Sequence, residues 1–212
     1  MLYLAKGNFQ KMIRWMAGSW MTANQATFLG IVFIILSTLS YYLGLSLDRF
    51  RWFLLLVPFF LFMRMAMNAL DGMLAREYKT GSARGELWNE GVDVLGDILT
   101  YGVLYFVPGG PRSSLVVFLM SIWAAEFFGV LGKGMPGGTR RYENVAAGKP
   151  DRAFWMGILA ITLFFKPAFM HYVPYYLGVL SLLLFLTCVL RIKAILSAAK
   201  GKPYESYTWV GR

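Results

Sequence analysis

Apolar residues along this chain fall in long unbroken runs, at about 26–45, 52–70, 86–107, 114–133, 153–166 and 172–190. A bilayer core of about 30 Å is crossed by roughly 20 apolar residues of α-helix. The runs therefore predict an all-α, polytopic membrane protein with six transmembrane helices. The fifth run is short and ends at Lys166-Pro167, which suits either a tilted helix extended by its flanks or half of a hairpin with the sixth. Ahead of the first run, Lys6, Lys11 and Arg14 alternate with Phe9, Met12, Ile13 and Trp15. That mixture predicts an N-terminal amphipathic helix lying in the membrane interface. The expected organisation is one membrane domain over 1–212: an interfacial segment at 1–20, a six-helix core at 21–195 and a cytoplasmic tail at 196–212.

Composition narrows the class. Hydrophobic residues make up 58% of the chain and charged residues 15%, against roughly 25% charged in ordinary globular proteins. Such a chain cannot clothe a core in polar surface, which excludes a soluble monomer. The net charge of +10 suits nucleic acid or a membrane surface, and in a chain this apolar the expected partner is the bilayer, not nucleic acid. With six spans, sixteen Lys and Arg fall on one side, while Arg49, Arg51, Arg112 and Lys166 fall on the other. The excess marks the cytoplasmic side and places both termini there. The first run starts too late for a signal peptide. The single cysteine, Cys188, excludes a disulfide framework, and the single histidine, His171, has no surroundings that suggest a catalytic triad.

The acids carry the candidate chemistry. Asp71, Glu77, Glu86, Glu90, Asp93 and Asp97, six of eleven, lie within 27 residues where the second run ends and the third begins. Ionisable groups at membrane depth are costly and mark function. Stepping about 100° per residue, Glu86, Glu90, Asp93 and Asp97 share a face about 60° wide, with Asn89 at its edge. Like charges stacked on one helix face repel unless a cation lies among them. Oxygen donors of this kind select Mg2+ or Mn2+. A solvated helix face accounts for Glu86 alone, but not for Asp93 and Asp97 deeper in the span. The preceding run presents Arg64, Asn68, Asp71 and Ala75 as a second stripe. Arg64 needs a partner inside the membrane, either in the acidic cluster or at Glu126.

The two stripes read Asn68-Ala-Leu-Asp71-Gly72-Met-Leu-Ala75-Arg76, eight residues, then Gly85-Glu-Leu-Trp-Asn89-Glu-Gly-Val-Asp93. This resembles the signature of the CDP-alcohol phosphatidyltransferase family, Asp-x-x-Asp-Gly-x-x-Ala-Arg followed after eight or nine residues by Gly-x-x-x-Asp-x-x-x-Asp. Spacing matches throughout, and six of the eight signature residues agree. Thr22-Ala-Asn24-Gln-Ala-Thr27 is similar to the Thr-Pro-Asn-x-x-Thr that opens the family's first helix. The resemblance spans about residues 20–195 and is strongest to a bacterial inner-membrane subgroup.

The resemblance implies an integral-membrane transferase of phospholipid biosynthesis, working as a homodimer. It would move a phosphatidyl-type group from a CDP-alcohol such as CDP-diacylglycerol to an acceptor hydroxyl, releasing CMP. Family members hold two divalent cations with four aspartates. Carried over, Asp71 is the main metal ligand and Asp93 both ligand and general base, while Asn68 and Asn89 stand at the other two positions. Gly72, Ala75 and Gly85 would let backbone approach the nucleotide, with Arg76, Asn24 and Thr27 also at the CDP-alcohol. Lys149, Arg152, Arg140 and Arg141 would bind the acceptor or its phosphate, although ordinary cytoplasmic-side charge explains them equally well. The two asparagines leave three readings open: Glu90 and Asp97 substitute as ligands, one metal binds tightly until substrate arrives, or the chain is an inactive homologue that binds CDP-lipid in a regulatory role.

Overall fold

A computed structural model describes residues 21–78, 82–138 and 147–201. The expected interfacial helix over 1–20, Arg140, Arg141, and the tail from 202 lie outside the described residues, as do the side chains of Arg76 and Glu77. The fold is all-α. Helix α1 spans Ala23–Ser46, α2 Val57–Glu77, α3 Ala83–Gly102, α4 Arg112–Gly134, α5 Lys149–Phe165 and α6 Val173–Ala199. Single 3-10 stretches at Asp48–Leu55, Val103–Tyr105 and Pro167–Tyr172 turn the chain between α1 and α2, after α3, and between α5 and α6. In lipid, backbone amides must be bonded within the chain, which is why the connections stay short and helical.

The ends follow local chemistry. Thr22 opens α1 with a capping box: its hydroxyl accepts from the Gln25 amide at 3.3 Å, and its own amide donates to Gln25 Oε1 at 2.8 Å. Ser82 caps α3 by accepting from the Gly85 amide at 3.1 Å. The turn into α4 uses Gly109 at φ 68°, a conformation glycine adopts without steric cost. Asp151 bonds back to the Gly148 amide at 3.2 Å and starts α5. Lys166-Pro167 ends α5, because proline cannot continue the ladder.

Among the described residues, four helical segments are long and apolar enough to cross a membrane: Ala23–Ser46, Asp48–Ala75, Arg112–Gly134 and Pro167–Ala199. Of the other two helices, α3 carries the acids and α5 has 17 residues. Large apolar side chains such as Phe28, Phe59, Leu95, Met120 and Phe185 face outward, whereas Arg64, Asp93, Asp97, Glu126, Arg152 and Arg191 are buried. This inversion of the soluble pattern is what a lipid solvent demands. The chain is an all-α, polytopic, integral membrane protein.

Small residues bring the helices close. A Cβ added at Gly157 would lie 3.1 Å from Pro58 Cβ, joining α5 to α2. The Ser37 and Thr100 hydroxyls share a hydrogen bond of 3.2 Å between α1 and α3, and the Tyr41 hydroxyl donates to the Met156 carbonyl of α5. Interhelical contact through small and hydroxyl side chains is how helices associate where lipid competes for apolar surface.

Candidate functional site: a polar cluster at one end of the bundle

The starts of α1, α3 and α5 meet the ends of α2 and α4 at one end of the molecule. Asp71, near the end of α2, accepts a 2.6 Å hydrogen bond from the Thr27 hydroxyl of α1. One turn earlier on α2, the Asn68 amide donates to Asp93 Oδ1 of α3. The two stripes of the sequence therefore do converge. Gly72 and Ala75 continue the α2 side as half-buried positions, while Gly85 and Asn24 are exposed in the first turns of α3 and α1. Asn89, half-buried one turn before Asp93, makes no side-chain hydrogen bond among the described residues.

Around Asp93 the charges alternate. Lys149, the first residue of α5, donates to Asp93 Oδ2; its ammonium also lies 3.5 Å from Glu90 Oε2 and 3.7 Å from Glu126 Oε2. Lys133, in the last turn of α4, donates to Glu86 and lies 3.3 Å from Glu90 Oε1. Glu90 and Glu126 also line a lateral cleft between α3 and α4, closed by Trp123, Phe127 and Val130.

Deeper lies a second tier. Asp97 Oδ1 accepts from Arg64 at 2.7 Å, and Oδ2 accepts from Arg152 Nη2 at 2.8 Å and Nε at 3.1 Å. Arg152 further donates to Glu126 at 3.2 and 3.3 Å and to the Ala147 carbonyl at 3.1 Å. Arg191 of α6 donates to the Ala125 carbonyl and lies 3.9 Å from Glu126. Arg64 also donates to the Asp93 carbonyl at 2.8 Å. Charged groups in a low-dielectric bundle are tolerable only when each is paired and hydrogen-bonded in this way.

The sequence expectation put Asp97 among metal ligands and Arg152 at an acceptor. The structure pairs them with each other inside the bundle, where Arg152 is 1% exposed. Arg64 does bond into the acidic cluster, through Asp97 and the Asp93 backbone rather than Glu126. Sequence reading passed over Lys133 and Arg191, which it counted only as cytoplasmic-side charge. The available signal for Arg191 was its place directly after the sixth apolar run, where a cation can still lie at membrane depth.

Gly96 makes the deeper tier possible. A Cβ there would sit 2.6 Å from Ile34 Cδ1 and 2.8 Å from Arg64 Nη2. Ile34 can shift its end carbon, but the Arg64 guanidinium is held by Asp97 and cannot retreat without breaking that bond. Gly96→Ala is expected to destabilise the protein by about 1–3 kcal/mol. Thermal unfolding in detergent checks this, and an unchanged midpoint would show that Arg64 has room to spare.

The donor set bears on the expected cation. Among the described residues, no three carboxylate, imidazole or thiol side chains converge as a metal site. Glu90 and Asp97 are engaged by lysine and arginine. Asp71, and Asp93 through the lone pairs that Asn68 and Lys149 leave open, form with the amide oxygens of Asn68 and Asn89 an all-oxygen set of two negative charges. By charge and ligand type this set suits an oxygen-preferring divalent cation, Mg2+ or Mn2+.

Comparison with known proteins gives the family. The model of the CDP-alcohol phosphatidyltransferase family matches residues 20–192. The chain is 33% identical over 199 residues to the Escherichia coli (strain K12) inner membrane protein YnbA, covering 92% of this chain and 96% of that protein. No solved structure matches the chain. With the family's model spanning α1 through most of α6, the chain belongs to the CDP-alcohol phosphatidyltransferase family.

Proposed function

We propose that this protein transfers a substituted phosphate, of phosphatidyl type, from a CDP-linked lipid to an acceptor hydroxyl and releases CMP. The observation that carries the reading is the meeting of Asn68, Asp71 and Asp93 with Thr27 and Lys149 at one end of the bundle. In the reaction, the acceptor oxygen attacks the β-phosphorus and forms a new P–O bond. The bond from that phosphorus to the bridging oxygen breaks, and CMP leaves with its electron pair. The acceptor's proton passes to Asp93, the general base.

Asp71 and Asp93, with Asn68 and Asn89, hold one divalent cation. When bound, Mg2+ or Mn2+ supplies charge neutralisation for the pyrophosphate. Thr27 holds one oxygen of the Asp71 carboxylate, which leaves the other to ligate the cation. Gly72, Ala75 and Gly85 leave the α2 and α3 backbones open to the nucleotide, with Asn24 and Arg76 at its edge. Lys149 is the cation that meets an acceptor or diphosphate oxygen, and Arg152 positions α5 from beneath. Arg140 and Arg141, which precede α5 in the chain, are further candidates for the acceptor's phosphate. In this reading all six helices cross the inner membrane, both termini are cytoplasmic, and the chain works as a homodimer.

The test is CMP release by purified protein in lipid nanodiscs, supplied with CDP-diacylglycerol, Mg2+ or Mn2+, and a panel of hydroxyl acceptors. Release that requires both the acceptor and the cation is expected. A second reading, a CDP-lipid-binding protein without turnover, is favoured by one feature, the neutral Asn68 and Asn89. Tight binding of CDP-diacylglycerol with no CMP from any acceptor would establish it in place of the first.

A further inference from the structure

We infer that Lys149 is a resident cation of this site, doing by fixed positive charge what a second divalent ion would otherwise do, so that each chain takes one divalent ion. The inference rests on the transferase reading and adds to it the cation inventory of the site.

Three observations support it. First, the Lys149 ammonium sits among three carboxylates: it donates to Asp93 and lies 3.5 Å from Glu90 and 3.7 Å from Glu126. These carboxylates come from two helices other than its own, so the lysine joins α5 to α3 and α4. Secondly, both oxygens of Asp93 are covered by the chain's own donors, Oδ1 by the Asn68 amide and Oδ2 by Lys149. A carboxylate in place of the Asn68 amide would repel Asp93 unless a metal ion lay between them. The amide turns that repulsion into a hydrogen bond. Each carboxylate oxygen keeps a further lone pair, so Asp93 remains able to ligate one cation and take a proton.

The third observation is the cost of the placement. Lys149 is the first residue of α5, where the positive end of the helix dipole disfavours a cation. Helix formation alone does not call for lysine there; the three carboxylates do. With Asn68 and Asn89 neutral, the signature positions carry two carboxylates, Asp71 and Asp93, against the two charges of one divalent ion.

Mn2+ binding to the full chain in nanodiscs, counted by electron paramagnetic resonance, tests the inference without reference to turnover. The wild type is expected to bind one Mn2+ per chain. Lys149→Gln, which removes the charge beside Asp93, is expected to bind Mn2+ about tenfold more tightly or to take up a second ion. Lys149→Arg, which keeps the charge, should bind as the wild type does. Two Mn2+ or none in the wild type would overturn the inference, as would a glutamine variant with unchanged binding. If the glutamine variant fails to fold, the wild-type count together with the arginine variant decides.

CMP release from the same preparations separates this outcome from the function. One Mn2+ per chain and tighter binding in Lys149→Gln, without CMP release, would leave the resident cation standing and remove the transferase reading. Normal release with two Mn2+ per chain would do the opposite.

Discussion

Asp93→Asn is expected to lower the rate of CMP release by about 10²–10⁴-fold, the range associated with removing a general base. The substitution is nearly isosteric and keeps one oxygen for Lys149, so the helices remain in place. It removes the only signature carboxylate that is both buried and bonded to two other helices, α2 through Asn68 and α5 through Lys149. It also turns an amide hydrogen toward the Asn68 amide, which costs about 1–3 kcal/mol of stability if the two donors face each other. Measuring turnover beside thermal unfolding separates the two effects. A variant that unfolds slightly earlier yet turns over at the wild-type rate would remove Asp93 from the chemistry.

Arg152→Met is expected to have the largest effect on stability. The guanidinium donates to Asp97, Glu126 and the Ala147 carbonyl, all inside the bundle. Removing one partner of a buried ion pair costs about 3–5 kcal/mol, because the remaining charge stays buried. Here two carboxylates would be left, although Arg64 still holds Asp97 and Arg191 still lies near Glu126. For a chain of this size the loss corresponds to a fall in the unfolding midpoint on the order of 10 °C. Arg152→Lys should recover little, since one ammonium cannot reproduce a fork that serves two carboxylates and a carbonyl. Adding Asp97→Asn and Glu126→Gln to Arg152→Met should recover more, because the stranded charges go with their partner. Wild-type unfolding in Arg152→Lys would show that the fork geometry is dispensable.

The helices were legible in the chain because apolar runs of bilayer length admit few other arrangements. Their ends were less so. The second run stops at residue 70 because Asp71 follows, yet α2 continues to Glu77. A charge ends an apolar run, whereas a helix ends only where its hydrogen bonds do, and Thr27 of α1 provides for the Asp71 carboxylate. The fifth run starts at 153 for the same reason, although α5 begins at Lys149 and buries Arg152.

The convergence of the two signature stripes was also legible, because helical periodicity fixes which residues share a face. Periodicity does not say which neighbour that face meets. Arg152 lies 55 residues from Asp97, and Arg191 lies 66 from Ala125. Long cationic side chains reach across three helices, and only packing decides which acid each one finds. The acidic stripe pointed to cations among its carboxylates. Which of those cations belong to the protein itself could be read only once α4, α5 and α6 stood beside α3.

Helix α5 has 17 residues, which at 1.5 Å per residue is about 25 Å, short of a bilayer core of about 30 Å. Lipid adjusts to a short segment by thinning locally, at a cost of a fraction of a kcal/mol per Å. Under the proposed six-span topology, a leaflet drawn inward beside the start of α5 would bring headgroup phosphates toward the level of Lys149. A lipid diphosphate can then reach the polar cluster while its acyl chains stay among their neighbours. The membrane's own deformation, as much as any side chain, would deliver the substrate.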